Sequence, residues 1–399
     1  MRKRQVNYSV KKPIFDMSVY LDYNASAPID RRVLDCMIKI YENNIGNADS
    51  RTHDYGDSAR KVVENARAQV ASILNVSKDE VFFTSGATES NNIVIQGLRK
   101  YGEENGKKHI ISTAIEHKAV LESVKSLREF GFEVDLVSPD ESGRVNTEEI
   151  ISLIREDTLL VSVMHVNNET GIIQPVKELG TFLCDKDVFF HVDATQSFGK
   201  LVDEIREIKY DMLSMSAHKI CGPQGVGALI LRRKRYKLPP VKNIMYGGQQ
   251  EHGIRPGTIP VALVAGLGEA CRIAEQEYKE NENLYSETKE ALIGILDNSG
   301  LRYQLNGKQE YCVHSTISVS IAGVSSEALM LSSKQFCGVS NGSACNSNSY
   351  NLSYVLSAMD LPEEQIKTSI RISWGPGIDK DKVTEEFKEL VKVAKGLMM

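Results

Sequence analysis

The stretch "VFFTSGATESNNIVIQGLRKYGEE", residues 81–104, joins a short apolar run to a segment of helical pattern through a turn that contains glycine. Similar apolar runs occupy residues 109–117 and 158–166, and each precedes another helical pattern, whereas the run at 188–195 precedes a loop and one more strand-like run. Near-continuous apolar strands separated by helices are typical of a mainly parallel sheet that is covered on both faces. The sequence therefore predicts an α/β domain in the middle of the chain.

The pattern changes after about residue 262. A long helical stretch runs from Ala262 to about Leu296, and shorter apolar runs and a final helix from about Val383 follow it. A chain of 399 residues is long enough for one large and one small domain. We predict a leader at residues 1–18, a large α/β domain at 19–261 and a smaller α+β domain at 262–399, with which part of the N-terminus can also pack.

The composition argues against several classes of protein. The 48 basic and 53 acidic side chains give a net charge of −5, so we expect no nucleic-acid-binding module. The chain has no run of about 18 apolar residues, so no membrane span is predicted. The basic N-terminal residues 1–17 lack the apolar stretch of a secretory signal, and we predict a flexible leader on a cytoplasmic protein.

Seven cysteines are scattered along the chain without a C-x-x-C pair, so the sequence predicts reduced thiols and neither a disulfide framework nor a metal site. Cys345 differs from the others in its surroundings. It lies in "SNGSACNSNSYN", residues 340–351, whose small polar side chains follow neither the strand period nor the helix period and therefore predict an exposed loop. The loop would make this thiol accessible, and the thiolate is the reactive form of cysteine.

Polar residues follow the ends of the predicted strands, in the segments "TSGATES", "EH", "NNETG", "DATQS" and "SAHK". Parallel sheets place their ligand crevices at these carboxyl ends. Taken singly, each group has an ordinary explanation, such as a helix cap for the first segment, a surface position for His117 and a solvated side chain for Lys219. Together they match one cofactor, pyridoxal 5'-phosphate, which needs a lysine amine, an acid at its ring nitrogen and donors for its phosphate.

Eight motifs stand in order along the chain: "YLDYNASAP", "SGATESNN", "EHKAVL", "MHVNNETG", "HVDATQS", "SAHKICGPQGVGAL", "GGQQEHGIRPGT" and "SNGSACNS". They resemble the successive motifs of the NifS-like cysteine desulfurases, which are fold-type I pyridoxal-phosphate enzymes of the class-V aminotransferase family. The resemblance covers nearly the whole chain from about residue 20. It implies a mainly parallel seven-stranded sheet, and it points to the class of these enzymes with a long catalytic-cysteine loop.

The resemblance also implies a role for each site residue. Lys219 would bind the cofactor as a Schiff base, Asp193 would hold the ring nitrogen protonated, and His117 would transfer protons above the ring. The other positions that match the family serve binding: Gln196 and Asn168 face the phenolic oxygen and the substrate, Arg371 binds the substrate carboxylate, and Ala87, Thr88, Ser216 and His218 hold the phosphate. Thr258 would reach the phosphate of the neighbouring subunit, which implies a homodimer.

The implied reaction takes sulfur from L-cysteine and releases L-alanine. Cys345, as a thiolate, would attack the substrate sulfur and carry it away as a persulfide for a sulfur-acceptor protein. Two motifs depart from the family pattern, because "SAHK" replaces "SGHK" and "GSACNSNS" replaces "GSACTS". The second change alters the residues beside the nucleophile and leaves the choice of acceptor open.

Two other functions remain open at the level of sequence. One is a different fold-type I activity, such as that of a selenocysteine lyase or an aminotransferase, which would not depend on Cys345 in the same way. The other is a non-catalytic scaffold that binds partners in sulfur transfer, although the presence of Lys219, Asp193, His117 and Cys345 argues against it. The destination of the sulfur stays equally open among iron–sulfur assembly, tRNA thiolation and DNA phosphorothioation.

Overall fold

Strands and helices alternate through most of the computed structural model, which describes residues 18–234, 236–342 and 352–398. The strands within these ranges are β1 Val19–Tyr20, β2 Val81–Thr84, β3 His109–Thr113, β4 Glu133–Val137, β5 Thr158–Met164, β6 Phe189–Asp193, β7 Met212–Ser216, β8 Gly227–Leu231, β9 Tyr303–Leu305, β10 Thr316–Ile321, β11 Cys337–Gly338 and β12 Ser369–Ser373. The predicted leader, except for Ser18, and Cys345 lie outside the described residues.

The α-helices in the same ranges are α1 Arg31–Asn43, α2 Asp54–Leu74, α3 Ala87–Asn105, α4 Lys118–Ser126, α5 Thr147–Ser152, α6 Val176–Leu183, α7 Val202–Glu207, α8 Val261–Asp297, α9 Ser326–Ser333, α10 Tyr354–Ala358, α11 Glu363–Lys367 and α12 Lys380–Gly396. Short 3-10 helices occur as well, and the one at Ala217–Lys219 matters for the site. Among the helices of the described residues, none is long and apolar enough to cross a membrane.

A seven-stranded sheet forms the larger part of the fold, in the order β2-β8-β7-β6-β5-β3-β4. The strands from β7 to β4 in this order are parallel, whereas β8 runs antiparallel to both of its neighbours. Every residue of β3, β5 and β7 is buried. Because both faces of these strands are covered, nearly every position is apolar or small, and the periodicity of a half-exposed strand is absent. The predicted fold class is confirmed.

Helices cover both faces of this sheet. On one face, Val192 and Met215 belong to a hydrophobic cluster that includes residues of α2 and of the first half of α8. On the other face, Leu160 and Met212 belong to a second cluster that includes residues of α3 and α4. The two layers hold the strands in place, so the strand ends form a fixed frame for side chains.

A smaller antiparallel sheet, in the order β12-β10-β9, packs on α12 and on the second half of α8 around a third cluster. Leu21 joins this cluster, and β1 pairs in parallel with β11, so the N-terminal segment packs with the C-terminal part of the chain. We keep the boundary between residues 261 and 262 as a proposal. It is supported by α8, which begins at Val261 and separates the strands of the large sheet from those of the small one in sequence.

Candidate active site

A cavity of about 560 Å³ opens where the parallel strands β5, β6 and β7 end, which is the edge at which α/β sheets bind ligands. Ten of the predicted site residues line it: Ala87, Thr88, His117, Asn168, Asp193, Gln196, Ser216, His218, Lys219 and Arg371. Thr258 is not among the lining residues, and it is exposed. Cys345 lies outside the described residues, although Gly342, three positions before it, lines the cavity.

Lys219 ends the short 3-10 helix that follows β7. Its Nζ donates hydrogen bonds to the backbone carbonyls of Asn24, at 2.5 Å, and Ala25, at 2.7 Å. Burial lowers the pKa of Lys219 to about 7, and the positive charges of Lys200 and Arg371 act in the same direction. A large fraction of this amine is therefore neutral near physiological pH, which is the form that attacks carbonyls and accepts protons.

A close approach of two backbone segments shapes the wall beside Lys219. A Cβ atom at Gly227, in β8, would lie 2.7 Å from the Cα of Gly86, just before α3. Gly86 itself has a φ of 150°, in a region that other residues rarely adopt. Because neither glycine has a side chain, the N-terminus of α3 can lie close to β8 and to the end of β7.

The N-terminus of α3 forms one end of the cavity with Ala87 and Thr88, together with Ser216 and His218. Free backbone N–H groups at a helix N-terminus favour an anion such as a phosphate. Burial, and after it the charge of Lys219, lowers the pKa of His218 to about 4, so its ring is neutral at physiological pH. Its Nδ1 lies 3.3 Å from the hydroxyl oxygen of Ser26.

Asp193 ends β6 and is almost completely buried. Its Oδ2 accepts a hydrogen bond from Asn91 Nδ2 at 2.8 Å, and its Oδ1 accepts from the backbone N–H of Thr195 at 3.0 Å and from the Thr195 hydroxyl. No ion pair to Asp193 is formed by the part of the chain that the structure describes. A buried carboxylate held only by neutral donors suits a cationic group of a ligand in the cavity.

His117 precedes α4 and caps it. Its Nδ1 accepts a hydrogen bond from the backbone N–H of Ala119 at 3.1 Å, so the neutral ring carries its proton on Nε2. The His117 side chain is exposed to the open cavity, yet the surrounding protein removes enough water from the ring to lower its pKa, and this is the largest cause. Asp193 opposes the effect, whereas Lys219 and Lys118 lower the pKa further. A neutral histidine with an Nε2 proton therefore faces the cavity.

Arg371, in β12, is held from two sides. Its Nη1 donates to the backbone carbonyl of Asn168 at 2.9 Å, and its Nη2 donates to Asp22 Oδ1 at 2.5 Å. Its Nε has no partner among the described residues. The guanidinium group is thus fixed in orientation, which suits recognition of a carboxylate.

Two amide oxygens in the cavity wall, Asn168 Oδ1 and Gln196 Oε1, are buried without a hydrogen-bond partner in the described chain. Buried polar atoms of a folded protein are normally hydrogen-bonded, so each such oxygen needs an explanation. Both belong to residues that were predicted to face a cofactor. Unpaired amide oxygens in the same cavity as Lys219 and Asp193 fit a polar aromatic ligand such as pyridoxal 5'-phosphate.

The sequence analysis missed two residues of the N-terminal segment. The carbonyl oxygen of Asn24 accepts hydrogen bonds from both Lys219 Nζ and Gln196 Nε2, and Asp22 pairs with Arg371. Both lie in "YLDYNASAP", the first of the eight motifs, to which no role was given. The motif was the available signal, but Asn24 contacts Lys219 and Gln196 through its backbone, and a backbone contact leaves no residue-type signature.

The chain is similar over most of its length to proteins of known family. Residues 19–385 match the family described as "Aminotransferase class-V". The mitochondrial cysteine desulfurase of Saccharomyces cerevisiae is 42% identical over 94% of this chain and 73% of its own length, and the cysteine desulfurase IscS of Vibrio cholerae is 41% identical over 95% and 93%. A solved structure of a NifS-like protein superposes with a TM-score of 0.87 at 36% identity, covering 95% of this chain and all of the other.

Proposed function

The chain belongs to the class-V aminotransferase family and, within it, to the cysteine desulfurases, and we propose that it takes sulfur from L-cysteine with the residues described above. The products would be L-alanine and a persulfide on Cys345, which a sulfur-acceptor protein then receives. One observation supports this assignment of residues above all: Lys219, Asp193 and Arg371 line the same cavity.

Members of this family depend on pyridoxal 5'-phosphate, and the residues of the cavity fit it. Asp193 would hold the ring nitrogen, Lys219 would bind the aldehyde carbon, and the amides of Asn168 and Gln196 would reach polar groups at the ring. The phosphate would bind at the N-terminus of α3, with Ser216 and His218. When bound, the cofactor withdraws electrons from the α-carbon of an amino acid and makes its α-proton acidic.

The protein's own groups bind, orient and deprotonate the substrate. Arg371 would bind the carboxylate of L-cysteine, and the hydrogen bonds that Asp22 and Asn168 accept fix the direction of the guanidinium group. The neutral amine of Lys219 would take the α-proton, since its lowered pKa leaves much of it unprotonated at neutral pH. His117 would move a proton through Nε2 in the same cavity.

Sulfur transfer falls to Cys345, whose position is outside the described residues. Its thiolate would attack the substrate sulfur, so an S–S bond forms while the bond between that sulfur and the β-carbon breaks. The electron pair of the broken bond goes to the β-carbon, which gains a proton and becomes the methyl group of alanine. Cysteine and one enzyme thiol thus give alanine and one enzyme persulfide, with atoms and electrons balanced.

One assay separates this function from its alternatives. The wild type and Cys345→Ala are supplied with L-cysteine, and alanine and sulfide are measured with and without a thiol reductant. A desulfurase forms alanine in the wild type and almost none in the variant. Alanine at equal rates in both proteins would indicate an activity that does not use Cys345, and no alanine in either would favour the non-catalytic scaffold.

We also propose that the protein is a homodimer and that it acts in the cytoplasm. Thr258 is exposed, and the segment before it exposes Ile244, Met245 and Tyr246, the last with 91% of its surface accessible. Apolar side chains exposed near a residue that was predicted to reach the cavity of a neighbouring subunit support an interface there.

The test uses two variants, Thr258→Ala and Lys219→Ala. The two proteins are mixed, unfolded and then refolded together, so that hybrid dimers form. Because each hybrid dimer retains one cavity with both residues intact, activity should return in the mixture, and no recovery would contradict the shared site.

A further inference from the structure

Glu169 is a buried acid whose carboxyl touches the chain on both sides of the segment that carries Cys345. It follows β5 and is 3% exposed. Its Oε2 accepts a hydrogen bond from Ser353 Oγ at 2.5 Å. The backbone of Gly342 packs against the same carboxyl group, because a Cβ atom there would lie 3.0 Å from Glu169 Cγ and 3.1 Å from Oε2.

The residues that precede the Cys345 segment, up to Gly342, contact the strand that carries Arg371. The backbone N–H of Gly342 donates to Ser340 Oγ at 3.1 Å, and Ser340 forms a backbone bridge with Arg371. Gly342 has a φ of 82°, which residues with a side chain rarely adopt. A glycine is required here by its backbone angle and also by its contact with Glu169.

The residues that follow the Cys345 segment, from Ser353 onward, contact the residues just before His117. Ser353 Oγ accepts from the backbone N–H of Leu356 at 3.1 Å and so caps α10, while the hydroxyl of Tyr354 donates to the backbone carbonyl of Glu116 at 2.7 Å. Glu116 directly precedes His117. Both sides of the segment are therefore anchored next to the cavity, and Glu169 contacts both anchors.

A carboxyl group is a costly way to fill a buried space. Transfer of an acid from water to an apolar interior is unfavourable unless its oxygens are hydrogen-bonded, and burial raises the pKa of Glu169. Methionine or leucine would occupy a similar volume without this cost. The hydrogen bond to Ser353 is the interaction that such a residue could not provide.

We propose that Glu169 is a positioning residue for sulfur transfer, which holds Gly342 and Ser353 together and so fixes the point from which Cys345 approaches the substrate. This rests on the proposed function, in which Cys345 is the nucleophile. Cys345 lies three positions after Gly342, and three peptide units span at most about 11 Å. A shift of the Gly342 anchor is thus passed on to the thiol over a short length of chain.

The test compares Glu169→Ala with Glu169→Gln. The alanine variant removes the hydrogen-bond acceptor, and we expect alanine formation from L-cysteine to slow by about ten- to a hundredfold, as misplacement of a reacting group does. The glutamine variant keeps an oxygen that accepts from Ser353 Oγ, and it should retain most of the rate. The absorbance change on titration of the holoenzyme with L-cysteine should keep most of its amplitude and a similar midpoint in both variants, because Arg371 donates its hydrogen bonds to Asn168 and Asp22 and not to Glu169.

A second pair of variants guards against a general loss of folding. Ser353→Ala removes the other partner of the hydrogen bond, and combined with Glu169→Ala it should cost clearly less than the sum of the two single losses, since both remove the same hydrogen bond. Ser325→Ala is the matched control, because Ser325 caps α9 in the same way but does not contact Glu169. It should leave the rate of alanine formation unchanged.

Three results would overturn the inference: a wild-type rate in Glu169→Ala, additive losses in the double variant, or a loss of the cysteine-induced absorbance change in parallel with the rate. The last would place Glu169 in substrate binding. A failure of the proposed function can be distinguished from a failure of this inference, because the proposed function is tested in proteins that retain Glu169. If Cys345→Ser forms alanine at the wild-type rate, the nucleophile itself is wrong.

Discussion

Asp22 Oδ1 accepts a hydrogen bond from Arg371 Nη2 at 2.5 Å, a contact between residues that lie 349 positions apart in the chain. Both side chains are largely buried, with 4% of Arg371 and 19% of Asp22 exposed. The N-terminal segment thereby sets the orientation of the guanidinium group that we assign to the substrate carboxylate. The ion pair is a structural contact at the cavity that also holds the residue proposed to bind the substrate.

The first prediction concerns Asp22→Asn. The substitution keeps an oxygen near Arg371 but removes the negative charge, so the free energy of unfolding should fall by about 3 kcal/mol, the effect of leaving a buried charge unpaired. The KM for L-cysteine should rise about tenfold, as a charged hydrogen bond that orients Arg371 is weakened. Steady-state kinetics and urea unfolding check both values.

Asp35→Asn provides the control, because Asp35 forms an exposed ion pair with Arg31. Exposed pairs contribute little, so its stability should change by less than about 1 kcal/mol and its KM not at all. An unchanged KM in Asp22→Asn would show that Arg371 is oriented by Asn168 alone.

The second prediction concerns pH and the amine of Lys219. Its pKa of about 7 lies below the usual value of 10.5, so in the folded protein the amine loses its proton as the pH rises through about 7. The rate at which cofactor-free protein takes up pyridoxal 5'-phosphate should rise over the same interval and then level off. Stopped-flow absorbance measures the rate, and borohydride reduction should fix the cofactor to the peptide that contains Lys219.

Lys200→Met tests what lowers the pKa of Lys219 and so sets the pH dependence of cofactor uptake. Burial is the largest cause of the lowered pKa, and the charge of Lys200 is the next. Removal of this charge should move the midpoint to higher pH while the plateau rate stays similar. A midpoint near 10 in the wild type would contradict the neutral amine.

The third prediction separates the ring of His117 from its structural role. His117→Asn removes the imidazole but keeps a side chain that caps helices well, so α4 should remain stable. Because the proton-transfer group is lost, kcat should fall by about a hundredfold or more. The yellow colour of the bound cofactor and the absorbance change with L-cysteine should persist. The matched control is His314→Asn, which removes a solvent-exposed histidine, and wild-type turnover in His117→Asn would contradict the assigned role.

The fourth prediction identifies the thiol that receives sulfur. After a pulse of L-cysteine without reductant, mass spectrometry should find one added sulfur on the peptide that contains Cys345, and none in Cys345→Ser. Cys221 and Cys337 are buried, which raises their thiol pKa values to about 11 and about 12, so both stay protonated and react slowly. Cys36→Ser, at a partly exposed site, is the control and should behave like the wild type. Added sulfur on Cys221 or Cys337 would contradict the assignment.

Much of the fold could be predicted from the sequence because parallel strands leave a simple signal. The residues of β5 and β7 are buried on both faces, so their apolar runs are continuous, and the polar residues that follow them mark the ligand-binding edge. His117, Asp193 and Lys219 were found in this way, each directly after or at the end of a strand or its following turn. The structure brings these three together at one cavity.

The remaining contacts could not be predicted for physical reasons. β1 and β11 have two residues each, too few for any periodicity, and their pairing is set by packing of the N-terminal segment on the smaller sheet. The carbonyl of Asn24 acts through the backbone, which every residue type shares. The hydrogen bond between Glu169 and Ser353 joins two ordinary polar residues that are 184 positions apart. Such contacts depend on three-dimensional proximity, which local patterns do not encode.

The helix α8 sets the alignment between the two halves of the active site. Its first half packs with the cluster beneath β7, which precedes Lys219, and its second half packs with the cluster around β12, which carries Arg371. Residues 274–284 between these halves include no buried side chain, so along this stretch the stiffness of the helix itself helps to keep the two ends in line. The spacing between Arg371, to which we assign the substrate carboxylate, and Lys219, the proposed base, thus depends in part on a helix that is remote from both. A proline there would act as a hinge, and stereochemical control over proton removal would loosen while each half of the cavity stayed intact.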